Sequence, residues 1–222
     1  MNRSPISRRP LLVGHRGARA VKSIPENTFA SYDRALADGC DGFEFDVRLT
    51  ADGEAVVCHD PEFKGIEIAH TTAPQLAALP RLAEVLARYQ ERAFLDIELK
   101  VPGLEGMAVA MLQRHPPQRG FVVSSFLLEV LQALHELNRE IPVGLICETK
   151  HQLRWWTRLP VEAVMPQQKL ASVALIRQLK AAGKRVFVWT VNDPTVMRRL
   201  AASGVDGIIS DDTSLLCQTF TP

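Results

Sequence analysis

Gly42-Phe43-Glu44-Phe45-Asp46-Val47 alternates apolar and acidic side chains, and its reading as a strand decides the fold. Successive residues of a strand point to opposite faces, so Glu44 and Asp46 project to one side of a sheet, near the strand's C-terminal end. Seven more short apolar or β-branched runs share the chain with it: 11–14, 94–99, 121–125, 142–147, 162–165, 185–191 and 206–210. Helical patterns lie between them. Phe29 to Asp38 places Phe29, Tyr32 and Leu36 on one face before Gly39, and Ala171 to Ala182 stops at Gly183. Eight strands each followed by a helix predict an α/β fold of the (β/α)8, or TIM, barrel type, and 222 residues lie near the short end of its usual range. An open doubly wound sheet is the alternative. No linker or repeat interrupts the rhythm, so residues 1–222 read as one domain.

One run falls outside the count. Glu54 to Cys58 follows Val47 too closely for a parallel crossover and must return antiparallel, as a short β-hairpin after the second strand. Taking Asp52-Gly53 as a two-residue turn places Asp46 opposite His59.

Composition sets limits on function. The chain is 46% hydrophobic and 23% charged, with 26 basic against 25 acidic residues and a net charge of +1. It carries no sequence-wide basic field for nucleic acid or acidic lipid, so an anionic ligand must be met by locally placed cations. No stretch approaches the roughly 18 apolar residues of a membrane span. Arg3, Arg8 and Arg9 precede only Leu11-Leu12-Val13, too short for a signal-peptide core, and Cys40, Cys58, Cys147 and Cys217 form no CxxC pair. These features predict reduced thiols, buried as small apolar groups, in a cytoplasmic protein without stable membrane association.

The charged residues collect at one end of the strands. In Asp96-Ile97-Glu98-Leu99-Lys100 the alternation sends Asp96, Glu98 and Lys100 one way. Acids at a barrel mouth repel one another, and a hard divalent cation with oxygen ligands relieves the repulsion. Barrel sites sit at strand C-termini, so Glu44, Asp46 and Glu98 read as a metal cluster with Lys100 beside it. The competing reading is surface strand ends paired with Arg or Lys. The first strand ends in Gly14-His15-Arg16-Gly17, and the hairpin brings in His59-Asp60. Two histidines flanking a carboxylate-bound metal, with Arg16 and Lys100 to grip an anion, suit displacement at phosphorus with one His as acid and the other as base. His70, His115, His135 and His151 lack such neighbours and read as surface or helix residues.

At these residues the chain resembles the glycerophosphodiester phosphodiesterase family. His15-Arg16-Gly17, Pro25-Glu26-Asn27-Thr28, Glu44-Phe45-Asp46-Val47, His59-Asp60 and Ile97-Glu98-Leu99-Lys100 occur in family order at similar spacing. Ser124-Ser125-Phe126, Trp189-Thr190-Val191-Asn192 and Gly204 to Asp211 are weaker echoes. The resemblance implies a metal-dependent barrel enzyme that hydrolyses glycerophosphodiesters to sn-glycerol 3-phosphate and an alcohol. By the same resemblance Glu44, Asp46 and Glu98 are ligands to Mg2+ or Ca2+, His15 and His59 the acid and base, and Arg16 and Lys100 phosphate contacts. Its expected partner is a small-molecule glycerophosphodiester. A lysophospholipase D-type action on lysolipids and a non-catalytic phosphate-binding barrel are the ranked alternatives.

Other residues carry double readings. Asn27 caps the helix that starts at Phe29, or Glu26 beside it is a ligand; Phe126 and Trp189 wall the pocket or are core. Asp211 reads as the start of the last helix. After His59-Asp60, Pro61-Glu62-Phe63-Lys64 runs quickly to Thr71-Thr72, a shorter segment than the family commonly has, which predicts a more open pocket.

Overall fold

A computed structural model describes residues 9–221; Arg3 and Arg8 lie outside them. Strand β1 (Leu11–Gly14) leads through helix α1 (Phe29–Ala37) to β2 (Gly42–Leu49), which folds back on β3 (Ala55–Val57). A two-stranded ribbon, β4 (Glu62–Phe63) and β5 (Ile66–Glu67), precedes α2 (Leu82–Tyr89). The remaining strands and helices then alternate: β6 (Phe94–Leu99), α3 (Glu105–Arg114), β7 (Phe121–Ser125), α4 (Leu128–Leu137), β8 (Val143–Cys147) and α5 (Lys150–Leu153). They continue as β9 (Ala163–Pro166), α6 (Val173–Ala181), β10 (Arg185–Val188), α7 (Pro194–Ala202), β11 (Gly207–Ser210) and α8 (Thr213–Phe220). Eight parallel strands run in the order β1-β11-β10-β9-β8-β7-β6-β2, and β1 pairs with β2 as well as β11, which closes the cylinder. The fold is therefore the (β/α)8 barrel rather than an open sheet.

Alternation along β2 and β6 divides the core in two. Phe43, Phe45, Val47, Leu95, Ile97 and Leu99 face outward and pack with α1 and α2 residues such as Tyr32, Leu86 and Tyr89. The inward set includes Val13, Phe94, Val122, Phe187 and Ile209, with Phe94 and Phe187 stacked at 5.5 Å between ring centroids. These rings fill the barrel's lower half. Gly207 is required beneath them, because a Cβ there would meet the Phe187 ring at 2.2 Å.

The hairpin is one residue out of the expected register. Val47 pairs with Val57 and Leu49 with Ala55, and Cys58 N donates to Asp46 O at 3.0 Å, so Cys58 and not His59 stands opposite Asp46. The loop is three residues long. Thr50 N donates to Glu54 O, Gly53 N donates to Thr50 O, and Gly53 takes a left-handed φ of +81°. Such a turn ending in a left-handed glycine competes with the two-residue turn that Asp-Gly also favours.

Candidate active site

Parallel register assembles the acidic cluster. Glu44 pairs with Asp96 and Asp46 with Glu98 across β2 and β6, all pointing into the upper barrel. Glu44, Asp46 and Glu98 are only 4%, 1% and 8% exposed, and each offers an oxygen lying within 4.8 Å of the others'. They are not surface strand ends. Glu44 Oε1 is buried with no hydrogen-bond partner, and Asp46 Oδ1 has only the Lys100 ammonium near it, at 3.2 Å. Buried carboxylate oxygens without donors are costly, and a hard cation is the partner that a three-carboxylate donor set suits. Burial first, then the neighbouring Asp46 charge, raises Glu44 and pushes Glu98 up to about 7. Burial acts on Asp46 in the same direction, but Lys100 and Arg16 outweigh it and hold this group below its ordinary value.

Cations stand around that cluster. Lys100 Nζ is 2.7 Å from Glu98 Oε1 and 3.2 Å from Asp46 Oδ1. Arg16 Nε lies 3.4 Å from Asp46 Oδ2, and the Arg16 backbone N–H donates to Glu44 Oε2 at 2.9 Å. Arg16 holds that position with a left-handed φ of +52°, followed by Gly17 at +81°. A left-handed arginine is a strained conformation of the kind found at functional sites.

The imidazoles are each held by a carboxylate. His15, just beyond β1, has Nδ1 2.7 Å from Asp211 Oδ1 and Nε2 3.8 Å from Glu44 Oε2. His59 Nδ1 is 2.7 Å from Asp60 Oδ1, while its carbonyl accepts from both Arg48 Nε and Nη2. Burial holds His59 below its usual value. With each Nδ1 facing a carboxylate, the partners assign the proton to Nδ1 and leave Nε2 unprotonated in the neutral ring.

A cavity of about 290 Å³ connects these groups. One wall carries His15, Arg16, Glu44, His59, Glu98 and Lys100; across from it stand Phe126, Ile146, Met165, Trp189 and Ile209 from β7 to β11 and their ends. His15, His59, Glu44, Glu98, Arg16, Lys100, Phe126 and Trp189 all line this cavity; Asp46 lies buried beside Arg16 and Lys100, and Glu26, Asn27 and Asp211 do not line it.

Several residues take parts the sequence did not announce. Thr28, not Asn27, caps α1 by accepting from Ser31 N. Asn27, with φ +57°, instead donates to Asp46 Oδ2 at 2.8 Å and accepts from Tyr32 Oη. Glu26 joins the Arg16 and Arg19 guanidiniums rather than the acidic cluster. Asp212 caps α8, which frees Asp211 for His15. Asp211 is itself gripped by Asn192 Nδ2 at 2.8 Å and Arg19 Nη1 at 3.2 Å. Burial raises its pKa, but the His15, Asn192 and Arg19 hydrogen bonds more than offset this and hold it well below the carboxylate range. Two adjacent acids before a helix were the available signal, since one cap needs only one. Asp96 is fully buried, accepts from Ser124 Oγ at 2.6 Å and is pushed up to about 7 by burial.

Known proteins resemble this chain in sequence and fold. The profile of the glycerophosphoryl diester phosphodiesterase family matches residues 15–72 and 67–215. A glycerophosphodiester phosphodiesterase of Caldanaerobacter subterraneus subsp. tengcongensis is 30% identical over 93% of this chain and 96% of its own length. One from Bacillus subtilis is 29% identical over 91% of the chain and 84% of its length. Among solved structures, an Oleispira antarctica phosphodiesterase in complex with sn-glycerol-3-phosphate superposes with a TM-score of 0.82 at 26% identity, covering 95% of this chain and 96% of its own. A Silicibacter pomeroyi protein reaches 0.85 at 23% identity, over 95% and 92%, and shares the fold. With the family profile and full-length relatives both converging on the same barrel, the chain belongs to the glycerophosphoryl diester phosphodiesterase family.

Proposed function

We propose that this chain hydrolyses glycerophosphodiesters to sn-glycerol 3-phosphate and an alcohol, using Glu44, Asp46 and Glu98 to hold a divalent ion and His15 and His59 to move protons. One observation carries the reading: three buried carboxylates, one of them with an unpartnered oxygen on Glu44, lie with oxygens within 4.8 Å of one another in a site that also holds two imidazoles, each fixed by an acid. The relatives' activity and the sn-glycerol-3-phosphate in the Oleispira antarctica structure agree with it.

The chemistry follows from where the groups stand. A hard ion such as Mg2+ or Ca2+, once bound, polarises a phosphoryl oxygen and offsets the cluster's negative charge. Arg16 and Lys100, already drawn toward Asp46 and Glu98, present guanidinium and ammonium hydrogens to the phosphate oxygens. One neutral imidazole takes at Nε2 the proton of the attacking hydroxyl as its oxygen bonds to phosphorus. The other, entering as the imidazolium, gives its Nε2 proton to the leaving alcohol oxygen as that oxygen's bond to phosphorus breaks. Water supplies the hydroxyl, or opens the cyclic phosphate where the glycerol arm's own hydroxyl attacks first. Asp211 is a positioning residue: it fixes the ring of His15 and steadies the positive charge that forms there, as a carboxylate does behind a catalytic histidine. The elements from β1 to α8 serve this one barrel, which supports reading the chain as a single catalytic domain, and its free cysteines suit a reducing, cytoplasmic setting. The test is release of sn-glycerol 3-phosphate from glycerophosphocholine, assayed with EDTA and with Mg2+, Mn2+ or Ca2+. Release that EDTA abolishes and a divalent ion restores is expected; no release with any ion would refute the reading.

A further inference from the structure

The loop between β1 and α1 is tied down on both sides of Arg19. Ala18 N donates to Ser31 Oγ in the first turn of α1, and Ala20 N donates to Asp211 O just past β11, each at 2.9 Å. The Arg19 side chain is 37% exposed and does not line the catalytic cavity. Its guanidinium is nevertheless divided between two acids, and each of those acids holds a group that does line it. Arg19 Nε donates to Glu26 Oε2 at 2.7 Å, while Glu26 Oε1 accepts from Arg16 Nη1 at 2.7 Å. Arg19 Nη1 donates at 3.2 Å to Asp211 Oδ1, the same oxygen that faces His15 Nδ1. Burial alone would raise Glu26, but the two arginines outweigh it and keep this group a carboxylate.

The consequence for Arg16 follows from the edges of its guanidinium. Nη1 is taken by Glu26 and Nε lies 3.4 Å from Asp46 Oδ2, while among the described residues Nη2 donates to no protein group. The fork is planar, so placing two of its nitrogens fixes the third. Glu26 thus leaves Nη2 as the edge of Arg16 for an anion in the cavity. From this chain of contacts we infer that Arg19 is a positioning residue with two arms: through Glu26 it sets Arg16 for the phosphate, and through Asp211 it sets the His15 ring for proton transfer. An exposed ion pair contributes little by itself. Arg19 acts on the reaction because the second contact of each acid is to a group whose placement governs binding or turnover. The inference rests on the phosphodiesterase reading and adds to it a residue that touches neither substrate nor ion.

The experiment is a pair of double-mutant cycles in Mg2+, with glycerophosphocholine for kcat and KM and with sn-glycerol 3-phosphate for a calorimetric Kd. Arg19→Met should raise KM and Kd, and lower kcat, by roughly three- to tenfold each. In a Glu26→Gln background the same substitution should no longer move Kd, and in an Asp211→Asn background it should no longer move kcat. Arg19→Lys should recover only part of either loss, because an ammonium is a point charge and not a planar fork. Additive losses in both cycles, full recovery by lysine, or a variant altered only in its melting temperature would overturn the inference while leaving the activity standing. Coupling in one cycle alone would overturn its two-armed form. Absence of hydrolysis would remove the phosphodiesterase reading and the His15 arm together, and the Kd cycle would still judge the Arg16 arm.

Discussion

At the scale of single residues, the site separates groups that act on the reacting atoms from groups that hold them. Replacing His15 or His59 by Ala should lower kcat by roughly 10²- to 10⁴-fold, the usual worth of general acid–base catalysis, with the circular dichroism spectrum unchanged. Asp211→Asn keeps the size of the side chain but puts an amide against His15 Nδ1, so kcat should fall by roughly 10- to 100-fold while KM moves little. A matched loss in KM would assign Asp211 to substrate binding instead. Glu44→Ala removes one donor of the cluster, and its signature should be a higher divalent-ion concentration for half-maximal activity. A metal dependence equal to that of the unaltered enzyme would take Glu44 out of the ligand set.

At the scale of elements, the site depends on two loops that place side chains by backbone conformation. The β1 to α1 loop turns through left-handed Arg16, Gly17 and Asn27, which delivers both Arg16 and Asn27 to Asp46 Oδ2. The hairpin loop between β2 and β3 turns at Gly53, where a Cβ would meet no neighbouring atom but the φ of +81° remains. Gly53→Ala should therefore cost about 1 kcal/mol in urea denaturation, from backbone strain alone. Thr28→Ala should cost about 1 kcal/mol by the same measurement, through loss of the α1 cap. The strands were legible because short apolar runs alternate with amphipathic helices bounded by Gly39 and Gly183. The hairpin register was not, since Asp52-Gly53 serves both a two-residue and a three-residue loop, and one residue decides whether Cys58 or His59 faces Asp46.

At the scale of the molecule, the barrel gathers several buried acids that folding by itself would expel. Asp96 and Glu98, ordinarily near 3.8 and 4.5, are both pushed up to about 7, and Glu44 is raised too. Between those ordinary values and 7 the folded protein binds more protons than the unfolded chain, so metal-free stability falls as pH rises through this window. His59, lowered by burial, works the opposite way but is one group against three. The melting temperature in EDTA should thus be higher at pH 5 than at pH 8. Adding Mg2+ or Ca2+ should raise it more at pH 8, by the equivalent of about 2.7 kcal/mol at a hundredfold excess over Kd. Metal-independent melting at pH 8 would count against the cluster as a cation site. Among the described residues no helix is long and apolar enough to cross a membrane.

The sequence by itself determined the strand and helix rhythm, the side to which Glu44, Asp46 and Glu98 point, and the presence of His15 and His59 at the ends of neighbouring segments. These follow from period-two alternation and from turn residues, both of which are local. Only the tertiary structure decided that Asp211 stands behind His15, that Asn27 serves Asp46 instead of a helix end, and that Phe126 and Trp189 line one cavity with Glu44 and Glu98. His15 and Asp211 are 196 residues apart and meet because β1 and β11 close the cylinder. Such a contact is set by barrel closure and strand register, which no short stretch of sequence encodes.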